Sequence, residues 1–284
     1  ISIMNNKLLP YFLITPAALF LFIFFLYPFF SVITDSFITN GEFTTKHFKE
    51  VTSYWKFPTT LKNTFYLTAL VVPVQLVLTL LMATMVNKMK KGREITLYIW
   101  TIPLGISDLA AGIIWLAIFE QSGFLNSMMV GLGFLDKPVT LLSYQNPLLV
   151  FTAIALAEIW RATAIMLIIV VAGIGLIPKE YYEAGSVFGA SSWKQFLYIT
   201  LPLLRRSLQT ALIIRLILAF EVFAVVVALG GTLFPVLMEQ TYIYQFDLLN
   251  SKAAAAMAVI ILAICLCFTL LILYLLRVPK GVKI

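Results

Sequence analysis

Long apolar runs separated by short polar stretches make up most of the chain. Three of these runs carry no charged residue at all: Leu8–Thr34, Asn63–Asn87 and Ala253–Leu276. A helix of about 20 apolar residues crosses a bilayer, whereas the strands of a membrane barrel would be shorter and would alternate in polarity. The pattern therefore predicts an all-α membrane protein with six transmembrane helices. The expected spans are about 10–33, 63–87, 95–119, 148–177, 204–229 and 253–276.

The composition agrees with a single transmembrane domain over residues 1–284. Of the 284 residues, 61% are hydrophobic and 12% are charged, and the mean hydropathy is +0.99. These values differ strongly from those of soluble globular domains. The longest polar segment, about Asp35–Lys62, can form short helices but is too small to bury a core of its own.

The positive charges indicate how the spans are oriented. With six spans, twelve of the 20 Lys and Arg residues lie on the side of the two termini, among them Lys7, Lys280 and Lys283, and six lie on the opposite side. Because Lys and Arg accumulate on the cytoplasmic side, both termini and the loop 178–203 are expected to be cytoplasmic. The net charge of +7 is thus a topology signal, and no basic, aromatic-interleaved surface suggests a nucleic-acid partner.

The sequence contains none of the common catalytic motifs. It has no G-x-x-x-x-G-K-[ST] loop for nucleotide phosphates, no H-E-x-x-H and no G-x-S-x-G. The only histidine, His47, is expected on the surface, and Cys265 and Cys267 fall on different faces of the last span, so no metal site is expected. We therefore expect a chain that catalyses no covalent reaction.

One polar segment between the fourth and fifth spans has an unusual composition. Residues 180–202 read EYYEAGSVFGASSWKQFLYITLP. Gly189 permits the positive φ of a sharp turn, and Ser191–Ser192 offer a hydroxyl cap for a second short helix. On that helix Trp193 and Phe196 share an apolar face. The sequence therefore predicts a helix–turn–helix on the cytoplasmic side.

Two interpretations of this helix–turn–helix are open. An amphipathic helix lying in the lipid interface would account for Trp193 and Phe196. The small residues Ala184, Gly185 and Ala190 instead suit the close approach of another protein. The small residues favour a protein-docking surface.

The same segment resembles the cytoplasmic EAA loop of ABC importer permeases. The family pattern is E-A-A, two residues, D-G-A, eight residues and I-x-L-P. Here Glu183-Ala184-Gly185, Gly189-Ala190 and residues 199–202 (ITLP) keep that spacing throughout. Gly185 replaces the second alanine, a small-for-small change. Phe188 replaces the usual aspartate, which suggests an apolar anchor at that position.

The resemblance extends over nearly the whole chain and narrows to the maltose/trehalose/glycerol-phosphate group of permeases. Residues 9–37, LPYFLITPAALFLFIFFLYPFFSVITDSF, are similar to the proline-bearing first helix of one subunit of that group. Residues 220–257 are similar to its F-D…T-G-G-P…Y-I-Y segment, with Glu221 in place of the aspartate and no proline after Gly231.

Membership of that group implies the type I ABC importer permease fold and a multi-subunit assembly. The implied partners are a second, related permease subunit, two cytoplasmic ATPase subunits, and an extracellular or periplasmic sugar-binding protein. The ATPase subunits would bind ATP and Mg²⁺, and this chain would bind no cofactor. The implied location is the cell (inner) membrane of a bacterium or archaeon, where lipid surrounds the spans.

By the same resemblance, the loop 178–203 couples the chain to an ATPase subunit. Glu183 is expected to make a polar contact, Gly185 and Gly189 to allow close approach, and Trp193 with Phe196 to provide an apolar footing. The complete expected set is Glu183, Ala184, Gly185, Phe188, Gly189, Ala190, Trp193, Phe196, Leu201 and Pro202.

Charges within the predicted spans must face protein or water. Glu158 and Arg161 are three residues apart and can form a structural ion pair on one helix, whereas Arg215 and Glu221 point to different sides. The functional alternative is a sugar path, in which acids, amides and aromatic faces meet hydroxyl groups. The candidate path residues are Glu221, Phe220, Phe223, Glu158, Trp160, Arg161, Trp115 and Asn146.

The sequence thus predicts a permease subunit that imports a di- or oligosaccharide such as trehalose or maltose. Import of glycerol-phosphate or another polyol is the first alternative. A phosphate would need a cluster of basic residues facing the path, and the spans offer only Arg161 and Arg215. A secondary transporter would show inverted repeats, and a membrane-embedded enzyme would show a catalytic constellation; the sequence shows neither.

Overall fold

The computed structural model describes residues 9–277, so Lys7, Lys280 and Lys283 lie outside the described residues. The described chain is mostly helical. Within residues 9–277 it forms two compact units, one of residues 9–57 with 240–262 and one of residues 58–239 with 263–277.

The first unit combines the N-terminal helices with a segment from near the C-terminus. Its first apolar helix is continuous but contains a π-helical turn at Phe22–Leu26. The elements are α1 (Leu9–Leu21), α2 (Tyr27–Phe37), β1 (Ile38–Thr39), β2 (Glu42–Phe43), α3 (Lys46–Thr52), the end of α14 (Leu237–Tyr242), a π-helix (Ile243–Asp247) and the start of α15 (Ser251–Leu275).

A tight hairpin follows α2 because the sequence places Asn40-Gly41 between its strands. Both residues have positive φ, 54° and 84°, the geometry of the two-residue turn that Asn-Gly favours. The antiparallel register pairs Ile38 with Phe43. The prediction that His47 is a surface residue is wrong: its ring is buried, and Nε2 lies 2.8 Å from the Thr39 hydroxyl.

The second unit contains the remaining helices. Short 3-10 helices occur at Ile102–Gly105 and Gly231–Leu233, and a π-helix occurs at Phe196–Thr200. The α-helices are α4 (Phe57–Lys88), α5 (Arg93–Thr101), α6 (Asp108–Phe119), α7 (Phe124–Gly131), α8 (Pro147–Gly175), α9 (Lys179–Val187), α10 (Ser192–Gln195), α11 (Leu201–Leu203), α12 (Arg205–Phe220) and α13 (Ala224–Leu229), with the end of α15.

Five helical stretches of the described chain are long and apolar enough to cross a membrane. They are Leu9–Phe37, Phe57–Lys88, Asp108–Gly131, Pro147–Gly175 and Ser251–Leu275. Two of the six predicted spans, 95–119 and 204–229, are therefore not single straight helices. The structure divides each of them into shorter helices.

Local chemistry explains the interruption of 95–119. Pro103 cannot donate a helical N–H, and the chain leaves the α-helix at Thr101 for a 3-10 turn. Ser107 then caps a new helix by accepting a hydrogen bond from the N–H of Ala110 at 3.2 Å.

The interruption of 204–229 separates α12 from α13, and α13 then packs closely against α6. Helix α12 has 16 residues, about 24 Å at 1.5 Å per residue, which is shorter than the hydrocarbon core of a bilayer. After the break, α13 packs closely on α6 at Gly112. A Cβ added there would lie 2.6 Å from the Ala228 Cβ, so only glycine permits this approach.

Two apolar clusters form the core of the second unit. The first joins α4, α6, α8 and α13 around Val71, Ala111, Ile154 and Val225. The second joins α4, α8 and α12 and is centred on Leu167. Helix α8 runs through both clusters, and 14 of its 29 residues are buried.

Candidate functional site

The loop 178–203 folds as two short helices around a sharp turn, as the sequence predicts. Gly189 has φ +73°, the left-handed conformation that glycine adopts without strain. The Ser191 hydroxyl accepts a hydrogen bond from the N–H of Lys194 at 3.4 Å and so caps α10. We call residues 178–203 the coupling segment, after the role that the resemblance to the EAA loop implies.

The turn of the coupling segment presents two large apolar side chains to the outside. Phe188 is 89% exposed and Val187 is 85% exposed. Glu183 and Ala184 are also exposed on α9, and Ala190 is half-buried. Exposed aromatic side chains on a short polar turn are typical of a surface that another protein covers.

Gly185 does not lie on the outer surface of the turn. A Cβ added there would lie 2.9 Å from Ile199 Cδ1 and 3.4 Å from Gln195 Cγ. The small side chain therefore lets α9 lie against the following π-helical turn of the same chain. The structure thus shows a close intramolecular approach at Gly185, and the expected approach of a partner there stays a prediction.

Trp193 and Phe196 stack on each other, with ring centroids 5.6 Å apart. They line a groove along α4 with Leu81 and Met85. Part of their apolar surface therefore faces α4, Trp193 is also 66% exposed, and their expected contact with an ATPase subunit stays a prediction.

The coupling segment is anchored to the core at both ends. The hydroxyl groups of Tyr182 and Thr200 lie 3.1 Å apart within hydrogen-bonding distance. Tyr182 and Leu201 pack against the apolar cluster centred on Leu167, and Pro202 is exposed. A displacement of α9 would consequently act directly on α8 and α12.

A layer of charged side chains lies between the two apolar clusters. Arg215 Nη2 on α12 lies 2.8 Å from Glu158 Oε2 on α8, and both side chains are 1% exposed. Arg161 Nη1 lies 2.7 Å from Asp108 Oδ1 on α6, and its Nη2 lies 3.6 Å from Glu158 Oε1. Arg215 Nε also donates to Gln75 Oε1 on α4 at 2.5 Å.

This charge layer, defined as Gln75, Asp108, Glu158, Arg161 and Arg215, joins four helices. Gln75 Nε2 donates to the backbone carbonyl of Glu158 at 2.8 Å and completes the connection between α4 and α8. Two cations face two anions, so the layer is neutral. Neutral pairing lowers the cost of burying charge away from water.

The charge layer changes the interpretation of several predicted residues. The local pair of Glu158 and Arg161 is confirmed, but Glu158 also binds Arg215, which the sequence left without a partner. Gln75 was not predicted as a functional residue. An amide within the otherwise apolar run 63–87 was the available signal, because a buried amide needs hydrogen-bond partners.

The candidate path residues fall into separate groups. Trp115 and Trp160 are in contact, with ring centroids 6.1 Å apart. Phe220 is buried against Phe65 and Phe268, whereas Glu221 is exposed at the break after α12. Phe223 lies in the same break and is half-buried.

Asn146 lies away from these groups, in the loop before α8. Its Nδ2 donates a hydrogen bond to Ser143 Oγ at 3.4 Å. Asn146 therefore supports the conformation of that loop.

Comparison with known proteins agrees with this geometry. The profile of the family described as "Binding-protein-dependent transport system inner membrane component" matches residues 75–279. The chain belongs to this family. It is thus the permease component of an ABC importer.

Individual relatives cover most of the permease. The sulfoquinovosyl glycerol transport system permease protein SmoG of Agrobacterium fabrum is 31% identical over 242 residues, which are 80% of this chain and 76% of SmoG. The arabinooligosaccharides transport system permease protein AraP of Bacillus subtilis is 33% identical over 229 residues, 77% of this chain and 71% of AraP. The trehalose/maltose transport system permease protein MalF of Thermococcus litoralis is 35% identical over 161 residues, 56% of this chain and 53% of MalF.

A solved structure shows the fold of the permease. A chain from the crystal structure of a bacterial ABC transporter involved in the import of the acidic polysaccharide alginate superimposes with a TM-score of 0.83. The match covers 98% of this chain and 97% of that chain at 23% identity. A chain from the crystal structure of a bacterial alginate ABC transporter in complex with an alginate pentasaccharide-bound periplasmic protein also superimposes, with a TM-score of 0.81 at 23% identity over 96% of this chain and 95% of that chain. The permease has the mostly helical type I ABC importer fold.

Proposed function

We propose that this permease imports a neutral di- or oligosaccharide, such as trehalose or maltose, driven by ATPase subunits that bind its coupling segment. The coupling segment is the observation that carries the proposal. It exposes Val187 and Phe188 while its two ends are anchored to the core. Relatives that transport trehalose/maltose and arabinooligosaccharides support a sugar as the substrate.

Coupling follows from the connections of α8 and α12. Helix α8 enters the coupling segment and α12 leaves it, and Glu158 and Arg215 join the two helices within the charge layer. A partner that changes shape on ATP binding can shift the permease only through contacts that differ between its two states. Contacts at Glu183 and Phe188 would transmit that shift through Leu201 to both helices.

The proposed topology has six spans, with both termini and the coupling segment in the cytoplasm. The interrupted stretches 95–119 and 204–229 would form the third and fifth spans. Broken helices are tolerated at membrane depth where they are surrounded by protein or line a cavity. Exposed Glu221, together with Phe223, Trp115 and Trp160, would face the sugar path, while Phe220, Glu158 and Arg161 would support it.

The proposed assembly pairs this permease with a second, related permease subunit. Two cytoplasmic ATPase subunits would bind ATP and Mg²⁺, and a sugar-binding protein would deliver the substrate from outside the cell or from the periplasm. The relative solved with a periplasmic protein supports this arrangement. The proposed location is the inner membrane of a bacterium or archaeon, with the permease itself performing no catalysis.

Glycerol-phosphate import is the second candidate, since a glycerol-3-phosphate permease, UgpA of Agrobacterium fabrum, is 28% identical over 235 residues. The charge layer favours a neutral sugar instead. Arg161 is paired with Asp108 and Arg215 with Glu158, so each guanidinium already has a carboxylate that neutralises its charge. A secondary transporter would not require the exposed turn at Phe188.

Reconstitution of the whole importer in liposomes tests the proposal. ATP hydrolysis is measured while trehalose, maltose and glycerol-3-phosphate are added with the cognate binding proteins. We expect a neutral sugar to stimulate hydrolysis and its uptake to require the coupling segment. Gly189→Asp and Glu183→Lys should each abolish uptake while the permease still inserts in the membrane. Stimulation by glycerol-3-phosphate alone would select the second candidate, and uptake that survives both substitutions would refute the coupling role.

A further inference from the structure

A cleft beside the coupling segment has one polar and one apolar part. The polar part is a cavity of about 230 Å³ between the coupling segment and the ends of α4 and α8. Its polar lining includes Asn87, Lys88, Tyr182, Ser192, Gln195 and Thr200.

The apolar part is a groove of about 560 Å³ along α4. Val77, Leu81 and Met85 line one side of it, and Trp193 lines the other. From Val77 to Met85 the helix rises about 12 Å, close to the ~15 Å depth of hydrocarbon in one leaflet of a bilayer. The three α4 side chains are all more than half exposed, so the groove is open to the outside of this chain.

The two parts form one continuous cleft. Thr84, Lys88, Ser192 and Phe196 line both the cavity and the groove. Apolar Ile174 and Phe196 also line the cavity, so a molecule with a polar end and an apolar chain would match the lining of the whole cleft.

The polar part contains hydrogen-bond donors that the protein does not use. The Tyr182 hydroxyl already pairs with Thr200, and Gln195 Nε2 already donates to Ser186 Oγ and the Ala190 carbonyl. The side chains of Asn87, Lys88 and Ser192, by contrast, make no hydrogen bond or ion pair with any residue of the described range 9–277.

The positive charges around the polar part of the cleft favour an anionic ligand. Lys88 lies inside the cleft, and Lys90, Lys91 and Arg93 follow in the same loop. Basic residues beside a transmembrane helix attract anionic lipid headgroups, and tryptophan commonly lies at the level of those headgroups. The cleft thus has two features of a lipid site at the surface of the membrane. Lys88 is a basic side chain that can bind an anionic headgroup, and Trp193 is a tryptophan of the kind found at headgroup level.

We propose that an anionic phospholipid binds this cleft, with its phosphate at Lys88, Asn87 and Ser192 and one acyl chain along Val77, Leu81 and Met85. The site links the membrane to α10 of the coupling segment through Ser192 and Trp193. The proposal depends on the chain spanning a membrane and not on which solute is transported.

Native mass spectrometry of the assembled importer in detergent tests this site. Dioleoyl phosphatidylglycerol is titrated against dioleoyl phosphatidylcholine, and the number and affinity of bound lipids are compared between variants. Lys88→Gln should weaken phosphatidylglycerol binding about fivefold, the effect expected of one basic residue at a lipid surface. Lys90→Gln, which removes the same charge from the same loop outside the cleft, should weaken phosphatidylglycerol binding at that site clearly less than Lys88→Gln does.

The groove is tested separately. Met85→Trp fills the groove and should reduce binding at the site at least as strongly, whereas Leu70→Trp on the same helix, outside the groove, should not. Equal binding of the two lipids, or equal effects of Lys88→Gln and Lys90→Gln, would overturn the proposal.

A photoreactive benzophenone side chain at Met85 gives an independent result in native membranes. Cross-linking to phospholipid supports the site. Cross-linking only to another polypeptide would overturn the proposal, because the groove would then be a subunit interface.

Discussion

The coupling segment exposes a large apolar side chain, whereas the charge layer buries charged side chains. Both are the reverse of the usual distribution of residues between surface and core. At the turn of the coupling segment, Phe188 is 89% exposed beside Val187, which is 85% exposed. In the charge layer, an arginine and a glutamate are 1% exposed between two apolar clusters. An exposed anchor gains its stabilisation only when a partner covers it, whereas a buried ion pair acts within the chain from the moment it folds.

The two regions have different roles in the proposed transmission of motion from the ATPase to the spans. Under the proposed function, the turn at Phe188 contacts the ATPase subunit, so changes there should affect coupling without affecting folding. The charge layer holds α4, α6, α8 and α12 together, and changes there should affect folding first. Substitutions in the two regions can therefore test whether the roles are distinct.

Removal of one charge from the layer should give the largest effect on stability. Arg215→Met leaves Glu158 buried without its closest partner, and a lost partner of a buried pair costs about 3–5 kcal/mol in the free energy of unfolding. Thermal unfolding of the purified permease in detergent measures the loss. The double variant Arg215→Met with Glu158→Gln should regain part of it, because no unpaired charge remains. A double variant that is less stable than Arg215→Met would contradict the ion-pair account.

Truncation of the exposed anchor should give the largest effect on coupling. Phe188→Ala should weaken binding of the ATPase subunits by about 2 kcal/mol, the size expected of an interface hot spot. Unfolding temperature should not change, since Phe188 packs on little of its own chain. Phe134→Ala is the matched control, a phenylalanine 72% exposed outside the coupling segment, and should bind ATPase like the unmodified permease. Equal loss in both variants would show that the effect is not specific to the turn.

Substitution of either glycine of the coupling segment by alanine should lower the stability of the permease by a smaller amount, and the loss should differ between the two positions. Gly189→Ala forces a side chain into φ +73° and should cost about 1 kcal/mol in stability. In Gly185→Ala the added methyl meets the side chains of Ile199 at 2.9 Å and Gln195 at 3.4 Å, both of which are flexible and can move aside, so the loss should be smaller. Unfolding temperatures of the two variants, measured side by side, provide the check. A larger loss for Gly185→Ala would mean that helix contact, and not turn conformation, holds the segment together.

Of the substitutions expected to lower stability, Asp108→Asn should have the smallest effect on the free energy of unfolding. Asp108 is 47% exposed, and Arg161 keeps Glu158 at 3.6 Å as a second partner when the Asp108 charge is removed, so the loss of stability should be at most about 1 kcal/mol, the upper end for exposed pairs. The difference in unfolding temperature from the unmodified permease should decrease further at high salt, because exposed pairs are screened. A loss as large as that of Arg215→Met would show that the layer is equally important at its exposed end.

The apolar pattern alone was sufficient to predict most of the helices. Uncharged runs such as Asn63–Asn87 correspond to continuous helices, and Gly189 and Ser191 shape the turn as expected. Periodicity did not reveal the break after α12, because that break depends on the approach of α13 to Gly112. Such a contact involves residues far apart in the sequence.

Those parts of the site whose residues lie close together in the sequence were predictable. The spacing of Glu183, Gly189 and Pro202 located the coupling segment. The partner of Arg215 was not predictable, since Glu158 lies 57 positions away on another helix. The contact between Gly185 and Ile199 likewise depends on how two short helices pack.

Photo-cross-linking from position 188 tests the central claim most directly. A benzophenone side chain replaces Phe188 in one variant of the assembled importer and Phe134 in another, and the cross-linked products are identified by mass spectrometry. The account predicts capture of the ATPase subunit from position 188 and no capture of it from position 134. Capture of lipid or of the second permease subunit alone from position 188 would contradict the assignment of this turn as the ATPase contact.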